Sequence, residues 1–149
     1  MEDTALSEVF QQFRVSYYRD VFRKIKTREL SLTTVEVFCV EIIAALKNPT
    51  INEFASFIGI SSPNAAYKIN SLIQKGYIEK VQSDTDKREY YLTVTDKFYE
   101  YYAISERYLL LAEKRLKETL SPEDYTTFNR ILNQISEEIM PELTAEREQ

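Results

Sequence analysis

Two glycines and four prolines are all that interrupt 149 residues, and this scarcity of helix breakers constrains the fold more than any other feature. A chain so poor in the residues that end helices is committed to long ones. The breakers are also unevenly placed: Pro49, Gly59, Pro63 and Gly76 fall in one stretch, while Pro122 and Pro141 stand apart near the C-terminus. The pattern predicts long helices toward both ends of the chain and short elements between them.

Apolar spacing fills in that outline. A first helix is expected from Thr4 to Lys26, with Phe10, Phe13, Tyr17, Val21 and Ile25 recurring on one face. Arg28-Glu-Leu-Ser-Leu32 reads as a joint. A second helix begins near Thr33, carries Val35, Phe38, Cys39, Ile42, Ile43 and Leu46 inward, and ends at Asn48-Pro49, because proline disfavours helix in the residue before it. Thr50-Ile-Asn-Glu53 is a capping box opening a short helix that buries Phe54, Ala55 and Ile58 and stops at Gly59. Ser61-Ser62-Pro63 starts another, with serine as cap and proline in the first turn. Ala65, Ala66, Ile69, Leu72 and Ile73 form its inner side up to Lys75-Gly76.

After Gly76 the period changes to two. Tyr77–Val81 reads as one strand, and Tyr90, Leu92 and Val94 alternate with Tyr91, Thr93 and Thr95 in a second, with the polar stretch Gln82–Arg88 between them. A helix then runs from about Thr95 to Thr119. Ser121-Pro122 restarts helix, with Phe128, Ile131, Leu132, Ile135 and Ile139 as its stripe up to Pro141. The expected class is mainly α with a small β-hairpin: a winged helix–turn–helix at 31–95, flanked by dimerisation helices at 4–26 and 96–140, all in one domain spanning 1–149. Long helices with aromatic faces and no third layer need a partner, and a second copy supplies one.

Composition removes several function classes. There is no histidine, so imidazole catalysis and His-ligated metal sites are excluded, and a single cysteine, Cys39, permits neither an internal disulfide nor a thiolate cluster. Two glycines cannot build a phosphate-cradling loop. The N-terminus lacks the basic stretch of a signal peptide, and no apolar run approaches the roughly 20 residues that cross a bilayer. A cytoplasmic protein without cofactor, metal or membrane partner is expected. Acidic residues are scattered along helix faces, with Glu123-Asp124 and Glu137-Glu138 as the only clusters of note, and no nucleophile stands with a base, so an enzyme is not expected.

The helix–turn–helix carries the chemistry. Its second helix, 62–75, can enter a DNA major groove, and its outward positions are Ser62, Asn64, Tyr67, Lys68 and Ser71. Asn64 is suited to bidentate bonding of adenine, and the serines and Lys68 to base edges or phosphates. Short helix pairs also occur in bundle proteins that never touch DNA. The following hairpin favours the DNA reading, because the two together make a winged helix.

The stretch Leu72-Ile-Gln-Lys-Gly76-Tyr-Ile, followed by Asp84-Thr-Asp86-Lys-Arg88 and Leu92-Thr-Val-Thr95, resembles the MarR-type winged helix–turn–helix regulators over essentially the whole chain. The resemblance implies a homodimer that binds pseudo-palindromic double-stranded DNA and represses transcription, relieved by a small organic effector. It also implies residue roles. Ser61, Ser62, Asn64, Tyr67 and Lys68 fall on recognition-helix positions. In a wing at 82–89, Asp86 pairs with Arg88 while Lys87 and Arg88 approach the minor groove. Tyr17, Tyr18, Phe22, Tyr101 and Tyr102 are the candidate effector pocket; the plainer reading of such an aromatic stripe is core or dimer interface. Three positions depart from the family pattern: Ala66-Tyr67 replaces a threonine–arginine pair, Pro63 a small polar residue, and Phe98 a glycine. They bear on which operator is read rather than on the fold. Cys39 lies on an apolar face of the second helix and reads as a small hydrophobe rather than a redox sensor. The alternative function is a winged-helix protein-interaction module or antirepressor, suggested by the weak cationic content of the recognition helix.

The formal charge of −5 divides unevenly. Residues 61–88 carry five cations (Lys68, Lys75, Lys80, Lys87, Arg88) against three acids (Glu79, Asp84, Asp86), whereas residues 89–149 carry a net −6. Acidity of the whole therefore argues against non-specific nucleic-acid binding while leaving a mildly cationic segment where DNA contact is expected.

Overall fold

The computed structural model describes residues 4–26 and 31–141, with backbone alone at 101–105. The elements follow the breakers: α1 (Ala5–Lys26), α2 (Thr34–Leu46), α3 (Ile51–Ile58), α4 (Ser62–Gln74), β1 (Ile78–Gln82), β2 (Tyr90–Val94), α5 (Asp96–Thr119) and α6 (Pro122–Gln134). Part of the expected joint, Arg28–Leu30, and the tail 142–149 lie outside the described residues. Among the described residues no helix is long and apolar enough to cross a membrane. The chain divides into two compact units, residues 17–103 and residues 1–16 with 104–149.

Local chemistry explains the boundaries in the first unit. At α3 the Thr50 hydroxyl accepts from the Glu53 N–H at 3.2 Å while the Glu53 carboxylate accepts from the Thr50 N–H at 2.8 Å. The same reciprocal cap, Thr33 with Glu36, starts α2. Both glycines sit in the left-handed region, Gly59 at φ 72° and Gly76 at φ 80°. Each lets the chain reverse as its helix ends: Ile60 N–H reaches back to the Ala55 carbonyl, and Tyr77 N–H to that of Leu72. β1 begins one residue later than expected, because Tyr77 is used in this closure and buries its ring instead of pairing.

The core of this unit gathers Val37, Val40 and Ile43 of α2, Phe54 and Ala55 of α3, and Ala65, Ile69 and Leu72 of α4. Tyr77, Ile78, Leu92 and Phe98 close it from the hairpin side. Val35 and Phe38, expected inward on α2, are 55% and 37% exposed, whereas Val37 and Val40 are fully buried. α2 is apolar on nearly every side, so periodicity offers no polar stripe from which to choose the inner face. The hairpin is antiparallel with Lys80 opposite Leu92. Its outer edge is tied to the α2–α3 turn, where Leu92 N–H donates to the Pro49 carbonyl at 2.8 Å and Thr50 bridges Tyr91.

In the second unit Phe13 meets Tyr108 edge-on at 5.3 Å between ring centres, and Lys117 pairs with Glu113 at 2.7 Å beneath the Tyr125 ring. None of its described side chains is buried. The expected α-helical stripe up to Pro141 changes register, because Ile135–Ile139 form a π-helical turn closed by Met140 N–H on the Ile135 carbonyl at 2.7 Å.

These features set a graded stability prediction. Phe54→Ala opens a cavity at a fully buried site and should cost about 3–5 kcal/mol. Gly59→Ala, where an added Cβ meets nothing within 4 Å, should cost only about 1 kcal/mol for the left-handed backbone. Urea unfolding of both variants measures the gap.

Candidate nucleic-acid interface

One face of α4 is dry and the opposite face is open. Ala65, Ile69 and Leu72 are buried at helical spacing, which turns Asn64 and Tyr67 outward. Tyr67 is 80% exposed, the most exposed of the protein's described large apolar side chains. Ser61 serves as the helix cap, its hydroxyl accepting from the Asn64 N–H at 3.4 Å. The Ser62 hydroxyl donates to the Asn52 amide oxygen at 2.8 Å, linking the first turns of α3 and α4. Lys68 is half-buried on the flank of the helix.

Ser71 departs from the outward position expected of it. It is half-buried, and its hydroxyl donates to Glu36 Oε1 of α2 at 2.9 Å. Lys75 Nζ donates to both oxygens of the same carboxylate, at 2.9 and 2.8 Å. Ser71, Lys75 and Glu36 therefore join the C-terminal half of α4 to the start of α2. Burial pushes the Glu36 carboxyl upward, but Lys75, the Thr33 N–H and Ser71 together outweigh it and hold its pKa below the ordinary 4.5. This cluster was hidden from sequence reasoning, since its members are 35 and 39 residues apart.

The wing is organised by hydrogen bonds from its own base. Ser83 is 3% exposed, and its Oγ accepts from the N–H groups of Thr85 and Asp86, both at 3.2 Å. Its N–H donates to the Glu89 carbonyl at 2.9 Å, and Gln82 Nε2 donates to the Lys87 carbonyl at 2.7 Å. Asp86 accepts the Arg88 backbone N–H at 2.9 Å, and its carboxylate lies 3.6 Å from Arg88 Nε. The backbone bond is the one that shapes the turn; an ion pair with a guanidinium-bearing side chain 94% exposed contributes little. Ser83 and Gln82 were not singled out from the sequence. The available signal was the Ser-x-Thr-Asp order, which suits a serine-capped turn.

Two of the five cations of 61–88 are thus engaged within the protein, Lys75 with Glu36 and Arg88 with Asp86. Among the described residues, Lys68, Lys80 and Lys87 meet no ion-pair partner. Cys39 of α2 is buried in the core of this unit, and burial raises its thiol pKa against the opposing pull of Lys68.

The aromatic residues expected to line an effector pocket are only partly described. Tyr17 stacks on Phe38 with ring centres 6.4 Å apart and touches Tyr18 edge-on, while Tyr18 and Phe22 are 44% and 68% exposed. The side chains of Tyr101 and Tyr102 lie outside the described residues. Among the described residues no group of three acidic or sulfur ligands is placed to hold a metal ion.

Breaking the Glu36 cluster gives a pH-dependent signature. Glu36→Gln keeps the size and the cap but removes the charge facing Lys75, and should cost about 1–2 kcal/mol at pH 7. A carboxylate with a lowered folded-state pKa stabilises above its unfolded value and loses that contribution as it protonates. The gap between wild type and variant should therefore close as the pH falls below 4.5, as read by denaturant midpoints across a pH series.

Residues 32–90 match the model of the MarR family. Among solved structures, a mutant of S. aureus MepR from a multidrug-resistant clinical isolate aligns at 17% identity with a TM-score of 0.66, covering 94% of this chain and all of that one. A MarR protein from Peptoclostridium difficile aligns at 24% identity and a TM-score of 0.53, over 96% of this chain and 92% of that one. Another S. aureus MepR mutant, bound to an oligodeoxyribonucleotide, aligns at 15% identity and 0.53, over 93% and 100%. These likenesses show a winged-helix fold. No curated protein sequence matches the chain.

Proposed function

From the match of residues 32–90 to the MarR family model, we propose that the protein is a MarR-type regulator: a homodimeric, sequence-specific DNA-binding transcriptional repressor. The observation that carries this reading is the open face of α4, where Asn64 and Tyr67 stand opposite a fully buried inner face and Lys68 sits on the flank, with the Lys87–Arg88 wing in the same compact unit. A helix presented in this way can enter a major groove while the wing reaches the neighbouring minor groove. Solved relatives bound to an oligodeoxyribonucleotide or to DNA support it.

Ser61 and Asp86 act in this reading by shaping the helix start and the wing. Ser62, Asn64, Tyr67 and Lys68 face the groove, and Lys87 and Arg88 face phosphates. Ser71 acts through Glu36 on the helix rather than on a base. Tyr67 takes the contact that an arginine supplies elsewhere in the family, pairing an aromatic edge with a thymine methyl or a phosphate.

The dimer is supported by the unit formed by 1–16 and 104–149, which leaves Leu109, Leu110, Leu111, Ile131, Leu132 and Ile139 between 43% and 64% exposed. Surfaces that apolar are rarely left to water. Sedimentation should give twice the 17.6 kDa chain mass. A small organic effector binding among Tyr17, Tyr18, Phe22, Tyr101 and Tyr102 would relieve repression by favouring one spacing of the two winged units over another.

Selection of genomic fragments retained by the purified protein tests the function. A specific site should emerge, and its affinity should fall with salt. Lys87→Ala should weaken all sequences alike and reduce the salt slope by about two per dimer, whereas Tyr67→Ala should cost about tenfold on the selected site and little on random DNA. Retention of no DNA at low salt would favour the protein-interaction module instead.

A further inference from the structure

Three consecutive carbonyls at the end of α4 are each taken by the residues that join β2 to α5. Lys97 Nζ donates to the Lys75 carbonyl at 2.6 Å, the Thr95 hydroxyl to the Gly76 carbonyl at 2.7 Å, and the Thr95 N–H to the Tyr77 carbonyl at 3.0 Å. The Lys97 ammonium also lies 4.5 Å from the centre of the Tyr77 ring, and that ring meets Phe98 edge-on at 6.4 Å. A Cβ added at Gly76 would lie 3.7 Å from the Lys97 side chain, so the lysine packs directly over the left-handed glycine.

The site suits a cation for two independent reasons. Helix carbonyls at a C-terminus concentrate negative potential, and the face of a tyrosine ring attracts an ammonium. Neither requires a nucleic acid. Lys75 itself cannot supply this charge, because its own ammonium is held by Glu36.

We propose that Lys97 is a positioning residue for the recognition helix: with Thr95 it locks the end of α4 to the first turn of α5, so that the reading face of α4 keeps a fixed orientation to α5. The first turn of α5 lies in the same compact unit as α4, so the lock joins two elements of one body. The role in DNA reading rests on the function proposed above. The lock itself does not.

The test uses Lys97→Met, which keeps the stem over Gly76 and Tyr77 but removes the donor and the charge, beside Lys97→Arg, which retains both. In the free full-length dimer or monomer, hydrogen exchange at the Lys75, Gly76 and Tyr77 amides should be about tenfold faster in K97M, with α2 amides unchanged and K97R near wild type. On the selected DNA site, K97M should lower the ratio of specific to random-sequence affinity about fivefold with the salt slope intact, and K97R should restore the ratio. Unchanged exchange in K97M overturns the proposal whatever the DNA result. Equal loss on all sequences with a slope reduced by about one per protomer also overturns it, because that is the signature of a phosphate contact. If the wild type binds no DNA, the function above fails while the exchange measurement still decides the lock. Should K97M fold poorly, Thr95→Val removes only the hydroxyl on Gly76 and should show the same exchange signature at smaller size.

Discussion

The dry inner face of α4 is the contact on which the winged unit depends. Ala65, Ile69 and Leu72 are excluded from water, sharing one core with Phe54, Val40 and Tyr77. Once those three positions are fixed, the 100° step of the helix leaves no freedom for the rest. Asn64 and Tyr67 must face outward, and Ser71, one turn further along the same face, is drawn in only because Glu36 of α2 takes its hydroxyl. Alanine at 65 is part of the same constraint, since a larger residue would push α3 away and tilt the outward face. Specific reading by a helix is thus settled first by what the helix buries.

Electrostatics then limits how the outward face can act. A net −5 chain offers 61–88 only five cations, and the protein spends Lys75 on Glu36 and Arg88 partly on Asp86. Lys75 sits too deep for its pairing to be a surface ornament: its partner is 16% exposed and held by three donors. Lys97 is likewise turned to a backbone carbonyl and a ring. The cations of this region divide into those that hold α4 in place and those that, on the proposed function, are left to meet phosphate. Few remain in the second group, so attraction that ignores sequence is weak and geometry must supply the selectivity.

Much of this was legible in the sequence wherever the signal was local. Thr50-x-x-Glu53, Gly59, Ser61 with Pro63, and Gly76 each announce a boundary through a bond formed within a few residues, and the structure places those boundaries accordingly. The Thr33-x-x-Glu36 cap carries the same pattern and was there to be read. What periodicity could not yield was the inner face of α2, where apolar residues surround the helix and Val35 and Phe38 look as eligible as Val37 and Val40. The orientation of Ser71 depends on a partner 35 residues away and leaves no spacing to detect, whereas the Ser83 turn is local and its Ser-x-Thr-Asp order is the trace it leaves. The π-helical turn after α6 escaped for a related reason: Ile135 and Ile139 satisfy an α-helical period, and only the Met140 closure reveals the extra residue.

The same sparing use of breakers that builds α5 and α6 leaves an apolar surface open among the described residues. Long uninterrupted helices present apolar residues along their whole length, and the described core lies entirely within residues 17–103. Leu109, Leu110, Leu111, Ile131 and Leu132 stay open while Lys117, Glu113 and Tyr125 tie α5 to α6 around them. A second copy would cover that surface and would also answer the shortage of cations. In the dimer proposed above, two weakly charged winged units joined as one body would bind two half-sites with the second contact made intramolecular, so affinity would rise steeply only where both half-sites are correctly spaced. On that proposal the acidic, breaker-poor helices and the mildly cationic winged unit are one solution: association would supply the strength that charge withholds, and would supply it only to the matching sequence.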